Sequence, residues 1–262
     1  PDVFVLESVP RAWSPTGGRD FYTRYARGLG QAGYQVTVYL TNALLIGGMQ
    51  WRERFHFIAH RNELAIPEPL ATIADVPTVR DLIGDLEHLA VFKDEEEPKL
   101  PNHAVKRPAE PYLNVLHNLA QGEGWEVGYA RALAQGLPAR KHRFLAQRLR
   151  YDAPAPTLAD IGSLYHPAQD RPLTLREGAR LCGYPDSFIF APTGKASEQY
   201  DAKSTDVTQI VMPQVGEHLA RLALRSLDAG PAQPGELNVI DHRVLARSWS
   251  SARYARALVE TR

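Results

Sequence analysis

Residues Arg171 to Phe188, reading RPLTLREGARLCGYPDSF, constrain this chain more than any other stretch. Thr174 and Glu177 stand at capping-box spacing, in which the first side chain accepts from the third helical N–H and the second reaches back to the cap. The apolar residues Leu175, Ala179, Leu181 and Cys182 follow at helical positions. Gly183 then supplies the backbone freedom of a helix end, and Pro185 cannot continue the helix. The spacing predicts a short helix, closed at both ends, whose apolar face must be buried against another part of the chain.

With 262 residues the chain is long enough for a substantial core, in one large or two smaller domains. Its 30 Lys plus Arg balance 30 Asp plus Glu, which excludes a surface that is basic everywhere and leaves room only for a local strip on nucleic acid. No apolar run approaches the roughly 18 residues of a membrane span, and the start lacks a basic-then-apolar signal pattern, so a cytoplasmic setting is the default. A single cysteine excludes an internal disulfide and a multi-cysteine zinc site, and no metal is expected. Pro1 leads almost at once into the apolar run Val3 to Leu6, as if the chain were cut from something longer or processed.

That run predicts a strand buried on both faces of a parallel sheet, ending in Glu7 where α/β folds place ligands. Asp20 to Gln31 has helical spacing, and Tyr34 to Leu40 alternates like a strand. Gln50, Arg52 and Arg54 lead into a further strand carrying Phe55, Phe57 and Ile58. Pro67, Pro69 and Pro77 mark the exit from this first part. Beyond them lie an acidic run from Lys93 to Glu97, a proline-broken stretch to Pro111, and a helix-like segment from Tyr112 to Ala120. Gly136 to Arg150 is rich in positive charge, including Arg140, Lys141 and Arg143, and reads either as a solvated helix face or as phosphate contacts. Ala153 to Thr157 is a stiff connector. Val215, Leu219, Leu222 and Ala223 predict a packing helix, Gly230 to Gly235 a linker, and Leu237 to Ile240 a short strand in a tail with no assigned chemistry.

Four of these segments resemble, in order, motifs of the DNA cytosine-5 methyltransferases. Arg171 to Phe188 resembles the ninth motif nearly residue for residue. Glu7-Ser8-Val9-Pro10 is similar to the acidic Glu-Asn-Val motif, with Ser8 for the Asn. Gln50, Arg52 and Arg54 meet the pattern Gln-x-Arg-x-Arg with nothing inserted. Residues 207 to 220 resemble the tenth motif, with Thr208 and Gln209 in place of its Gly and Asn. The resemblance implies an α/β fold, the C-terminal portion of a Rossmann-like S-adenosylmethionine-dependent methyltransferase sheet with an inserted target-recognition domain. It implies residues 1–77 as the C-terminal part of the catalytic domain, 78–150 as the recognition region, 151–228 as the segment returning to the catalytic domain, and 229–262 as linker and tail.

The family's chemistry is covalent: a thiolate adds to carbon 6 of a flipped cytosine, and carbon 5 then takes the methyl group. The resemblance implies Glu7, Arg52 and Arg54 as catalytic, and Gln209 and Val211 as cofactor contacts. It also implies Gln50, Arg140, Lys141, Arg143, Arg171 and Thr174 as contacts to double-stranded DNA. The family's Pro-Cys nucleophile and glycine-rich cofactor loop do not occur in these residues, and Cys182 sits on the packing face of the ninth-motif helix. A second polypeptide or an N-terminal part is therefore expected to carry both, and half a parallel sheet should expose an adhesive edge. A catalytically silent DNA-binding module with the same fold is the competing reading, favoured by Ser8, Thr208 and Gln209. Related machinery acting on RNA, or moving another one-carbon group, is equally compatible with the sequence.

Overall fold

The structure, a computed structural model, describes residues 1–67, 69, 76–89, 91–92, 99–142, 146–191 and 204–247. The chain divides into two compact units, Pro1–Val76 with Val211–Arg262, and Pro77–Ile210. Arg143, the acidic run 93–97 and the arginine-rich end of the tail lie outside the described residues.

The first unit holds β1 (Val3–Ser8), α1 (Arg19–Gln31), β2 (Gln35–Asn42) and β3 (Glu53–His60) from its first segment. Its second segment, after the helices and strands of the other unit, adds α7 (Pro213–Leu227) and β8 (Leu237–Asp241). The four strands form one sheet in the order β1-β3-β2-β8. β3 runs antiparallel to both neighbours, whereas β8 runs parallel to β2. Period-two alternation sorts the two faces. Val36, Val38, Leu40, Phe55, Phe57 and Ala59 meet Trp13, Ala26 and Tyr34 in one core, with Tyr22 and Leu29 of α1 packed against it. The other face is mainly polar, carrying Thr37, Tyr39, Thr41, His56 and His60 beside Ile58, all buried. His218 of α7 stacks on Tyr39 across this face, ring centroids 6.1 Å apart.

β1 departs from expectation. It is antiparallel to β3 at the sheet edge and only half-buried, with Phe4 exposed, rather than a parallel strand covered on both faces. Four apolar residues in a row are compatible with either pairing, and here the described residues give β1 one neighbour only. The sheet is mixed, within an α/β unit. The strand expected in the tail does form, as β8.

The second unit holds α2 (Val79–Ile83), β4 (Val91–Phe92), β5 (Ala104–Val105), α3 (Glu110–Leu116), α4 (Trp125–Ala134), β6 (Gln147–Arg148), β7 (Leu164–Tyr165), α5 (Leu175–Leu181) and α6 (Ser204–Thr208). The ninth-motif helix forms as α5 with the reciprocal capping box of Thr174 and Glu177, and Gly183 takes φ +85° just beyond it. Gly178 is needed for packing, because a Cβ there would lie 2.3 Å from Cδ1 of Ile161. Leu175, Ala179, Leu181 and Cys182 share one core with Val79, Ile83, Leu149, Tyr151, Leu158 and Leu164. Residues 151–210 thus compact with 77–150, where a return to the catalytic part was expected. The cause is that core: the apolar face of α5 is buried on α2 and on the strand region around Leu149 and Leu164.

Candidate active site

The site in the first unit starts from strand register. Glu7 lies opposite His56 in the β1–β3 pair, and Ser8 opposite Phe55, so Glu7 shares a face with His56 and with Arg54 two residues earlier. Arg54 Nε stands 2.6 Å from Glu7 Oε1, and the two side chains remain 14% and 18% exposed, desolvated yet reachable. Arg54 also donates through Nη1 to the carbonyl of Glu53 at 2.8 Å. Burial, then the nearby charge of Arg52, pulls the Arg54 guanidinium below its ordinary value, and Glu7 opposes both.

The loop before β3 is fixed by one side chain. Oδ1 of Asn42, at the end of β2, accepts from the N–H of Leu44 and from the N–H of Arg52, each at 3.2 Å. It thereby ties the turn Ala43–Ile46 to the start of β3. Gly47 at φ +87° completes the turn, a conformation that disfavours any side chain. Arg52 is buried beside this staple, and Gln50 is fully buried. Below the Glu7–Arg54 pair lies His56, whose pKa burial lowers from 6.5 to about 4. Neither His56 nor its neighbours Tyr39 and His218 stood out in the sequence. The signal available was histidine at inward positions of a strand.

The other expected site residues are scattered. Arg140 and Lys141 are exposed in the second unit, the Arg140 N–H donating to the carbonyl of Pro111 at 3.2 Å. Arg143 is outside the described residues. Arg171 and Thr174 are buried, which corrects their expected DNA contact. Arg171 forks onto both oxygens of the fully buried Glu177 at 2.8 and 2.7 Å, and its Nε donates to Gln169 at 2.6 Å. Thr174 caps α5 and its hydroxyl meets His103 Nδ1 at 2.8 Å. Their chemistry is consumed inside the fold: a buried carboxylate at a helix N-terminus needs a guanidinium partner. Gln50, equally buried, offers no surface to a groove. Gln209 is exposed in the second unit and Val211 exposed in the first.

The model of the C-5 cytosine-specific DNA methylase family matches residues 1–221. This chain belongs to that family. Among curated relatives, the Type II methylase M.HgiDII of Herpetosiphon aurantiacus is 26% identical over 238 residues, covering 87% of this chain and 66% of the relative. The Type II methyltransferase M1.HphI of Haemophilus parahaemolyticus is also 26% identical, over 86% of this chain and 57% of its own length. The chain therefore spans two thirds or less of the relatives it matches. A crystal structure of a DNA modification methyltransferase encoded within a prophage (E. coli) superposes with TM-score 0.63 at 19% identity, over 87% of this chain and 70% of that one, which is likeness of fold.

The family uses S-adenosylmethionine. Gln209 and Val211, the expected contacts to it, are both exposed, and Cys182, the single cysteine, is buried in the core around α5. Among the described residues no group of His, Cys, Asp and Glu is arranged for a metal ion, and no helix is long and apolar enough to cross a membrane.

Proposed function

We propose that this chain is the C-terminal part of a DNA cytosine-5 methyltransferase, in which Glu7 and Arg54 hold a cytosine drawn out of double-stranded DNA. The observation that carries this reading is the Glu7–Arg54 pair, a carboxylate and a guanidinium brought within 2.6 Å at one reachable edge of the sheet. A thiolate adding to carbon 6 of cytosine drives charge toward N3 and the exocyclic amine. A carboxyl group beside those atoms stabilises it, and a guanidinium at the ring carbonyl fixes the orientation. Arg52 adds a second positive charge near the pair, one that opposes the charge of Arg54. Arg140 and Lys141 serve the phosphates. The thiolate and most contacts to the methyl donor come from an N-terminal part or partner polypeptide.

The test is methyl transfer from labelled S-adenosylmethionine to cytosine-containing duplex DNA, with this chain alone and with the polypeptide encoded immediately upstream. Turnover in the mixture is expected, and Glu7→Gln should lower it by roughly a hundredfold or more while DNA binding persists. Equal turnover of wild type and variant removes Glu7 from the mechanism. DNA binding without turnover in the mixture favours the silent module.

A further inference from the structure

An open cleft of about 380 Å³ lies in the second unit. Its buried lining joins the apolar Leu116 and Pro167 to Arg148, whose side chain is only 6% exposed, and its more exposed rim carries His117, Gln121 and Asp170. Arg148 Nη1 donates to the carbonyls of His166 and Gln169 at 3.1 and 3.2 Å. Its Nη2 donates to the carbonyl of Leu116 at 2.8 Å and to Oδ1 of Asp170. The guanidinium is thus a buried hub that fastens the end of α3 to the loop 166–170. Asp170, one-third exposed, is left on the cleft side of it. Oδ2 of Asp170 is 3.2 Å from His117 Nε2.

The rim has a definite hydrogen-bonding pattern. Oε1 of Gln121 accepts from the N–H of Tyr151 at 3.1 Å, which commits its acceptor end and leaves its amide to donate. Asp170 supplies acceptor oxygens: Oδ1 accepts from Arg148 and Oδ2 faces His117, and each oxygen has a second lone pair. An acceptor and a donor lining one cleft match a base edge that presents an amine next to a ring acceptor. The major-groove edge of adenine has that pattern, and cytosine has its amine alone. Guanine and thymine would set carbonyl oxygens against the carboxylate. We propose that this cleft reads one base of the DNA site, selecting an amino-bearing base, adenine above cytosine, with Asp170 as the discriminating acceptor. The inference rests on the DNA-binding reading given above. The placement also agrees with it: Arg140 meets the carbonyl of Pro111 in the first turn of α3, and the cleft begins at Leu116, its last residue. The five residue steps from Pro111 to Leu116 rise about 7.5 Å, within the width of a major groove, so a phosphate contact and a base contact fit on one duplex.

The experiment is selection of duplexes from a randomised library by the full chain at fixed salt, followed by sequencing of the bound fraction. Wild type should enrich adenine or cytosine at one position. Asp170→Asn keeps the size and an oxygen for Arg148 but adds a donor, and should weaken that enrichment about tenfold or more at that position alone. His117→Ala, an exposed change that leaves Arg148 and Asp170 paired, frees Oδ2 and should sharpen the same position. Identical base profiles in all three proteins overturn the proposal. If Asp170→Asn fails to fold, an unchanged profile in His117→Ala overturns it. Absence of any salt-dependent binding by wild type refutes the DNA reading itself, and the cleft assignment falls with it.

Discussion

Lowering the pH from 7.5 to 5 should cost the first unit about 2 kcal/mol through His56 alone. Burial pulls its pKa from 6.5 to about 4; the Tyr39 main chain resists, and the charges of His218 and Arg54 add to the lowering. The folded state therefore keeps the imidazole neutral, while the unfolded chain takes up a proton near pH 6.5. The stability is fully present above that value, declines as pH falls, and levels off below pH 4. The gap between 6.5 and about 4 corresponds to about 3.4 kcal/mol at the plateau, of which about 2 is lost by pH 5. Urea unfolding at the two pH values reads this directly, since about 2 kcal/mol moves a midpoint by about 1 M. Other buried histidines shift in the same direction, His166 also to about 4, so the decisive comparison is with His56→Phe. That variant keeps a flat ring between the sheet and α7 and cannot titrate. It should lose about 2 kcal/mol less than wild type on acidification. Parallel losses in the two proteins would refute the argument that His56 is held neutral by its surroundings.

Three further outcomes are expected. Glu177→Ala leaves the buried Arg171 without its carboxylate and should destabilise the second unit by about 3–5 kcal/mol, read as a lowered thermal midpoint. Gly178→Ala should destabilise by about 1–3 kcal/mol even though alanine favours helices, because the new Cβ runs into Ile161; an unchanged or raised midpoint would show that Ile161 yields. Replacing Arg140 and Lys141 by Ala should flatten the dependence of log affinity on log salt by about 0.9 per lost phosphate contact, measured by fluorescence titration with duplex DNA.

Elements were legible where a local rule governs them. The capping box and Gly183 set α5, helical spacing set α1 and α7, and alternation set β2. Pairing was not legible in the same way. β1 and β3 meet across a separation in sequence that no local pattern encodes, and a four-residue apolar run does not carry a strand direction. In the candidate site, the Glu7–Arg54 meeting came from family resemblance, since neither residue alone says where the other will be. The misplaced DNA contacts at Arg171 and Thr174 have a physical lesson. The Glu177 that completes the capping box is a carboxylate on a helix destined for the core, and the nearest arginine is needed to neutralise it. Arg148 was hidden for a related reason: within a run of positive charge, the residue that sits on a strand turns inward and binds carbonyls. The cleft it supports is built from residues far apart in sequence, His117, Gln121 and Asp170, and nothing local announces it.

The family match stops at residue 221, inside α7, and β8 lies wholly beyond it. Yet β8 is the strand that closes the far side of β2, all eight of whose residues are buried, and Arg247 clamps the segment after it to Glu53 through two bonds of 3.0 Å. A protein trimmed at the end of the family match would lose the last six residues of α7 and leave the main chain of β2 open where β8 now pairs with it, Val36 to Leu40. Such an edge recruits strands from other molecules. The end of the family match and the end of the folded sheet are thus different borders on this polypeptide, and it is the last hydrogen-bonded strand that marks where the unit can be cut without becoming adhesive.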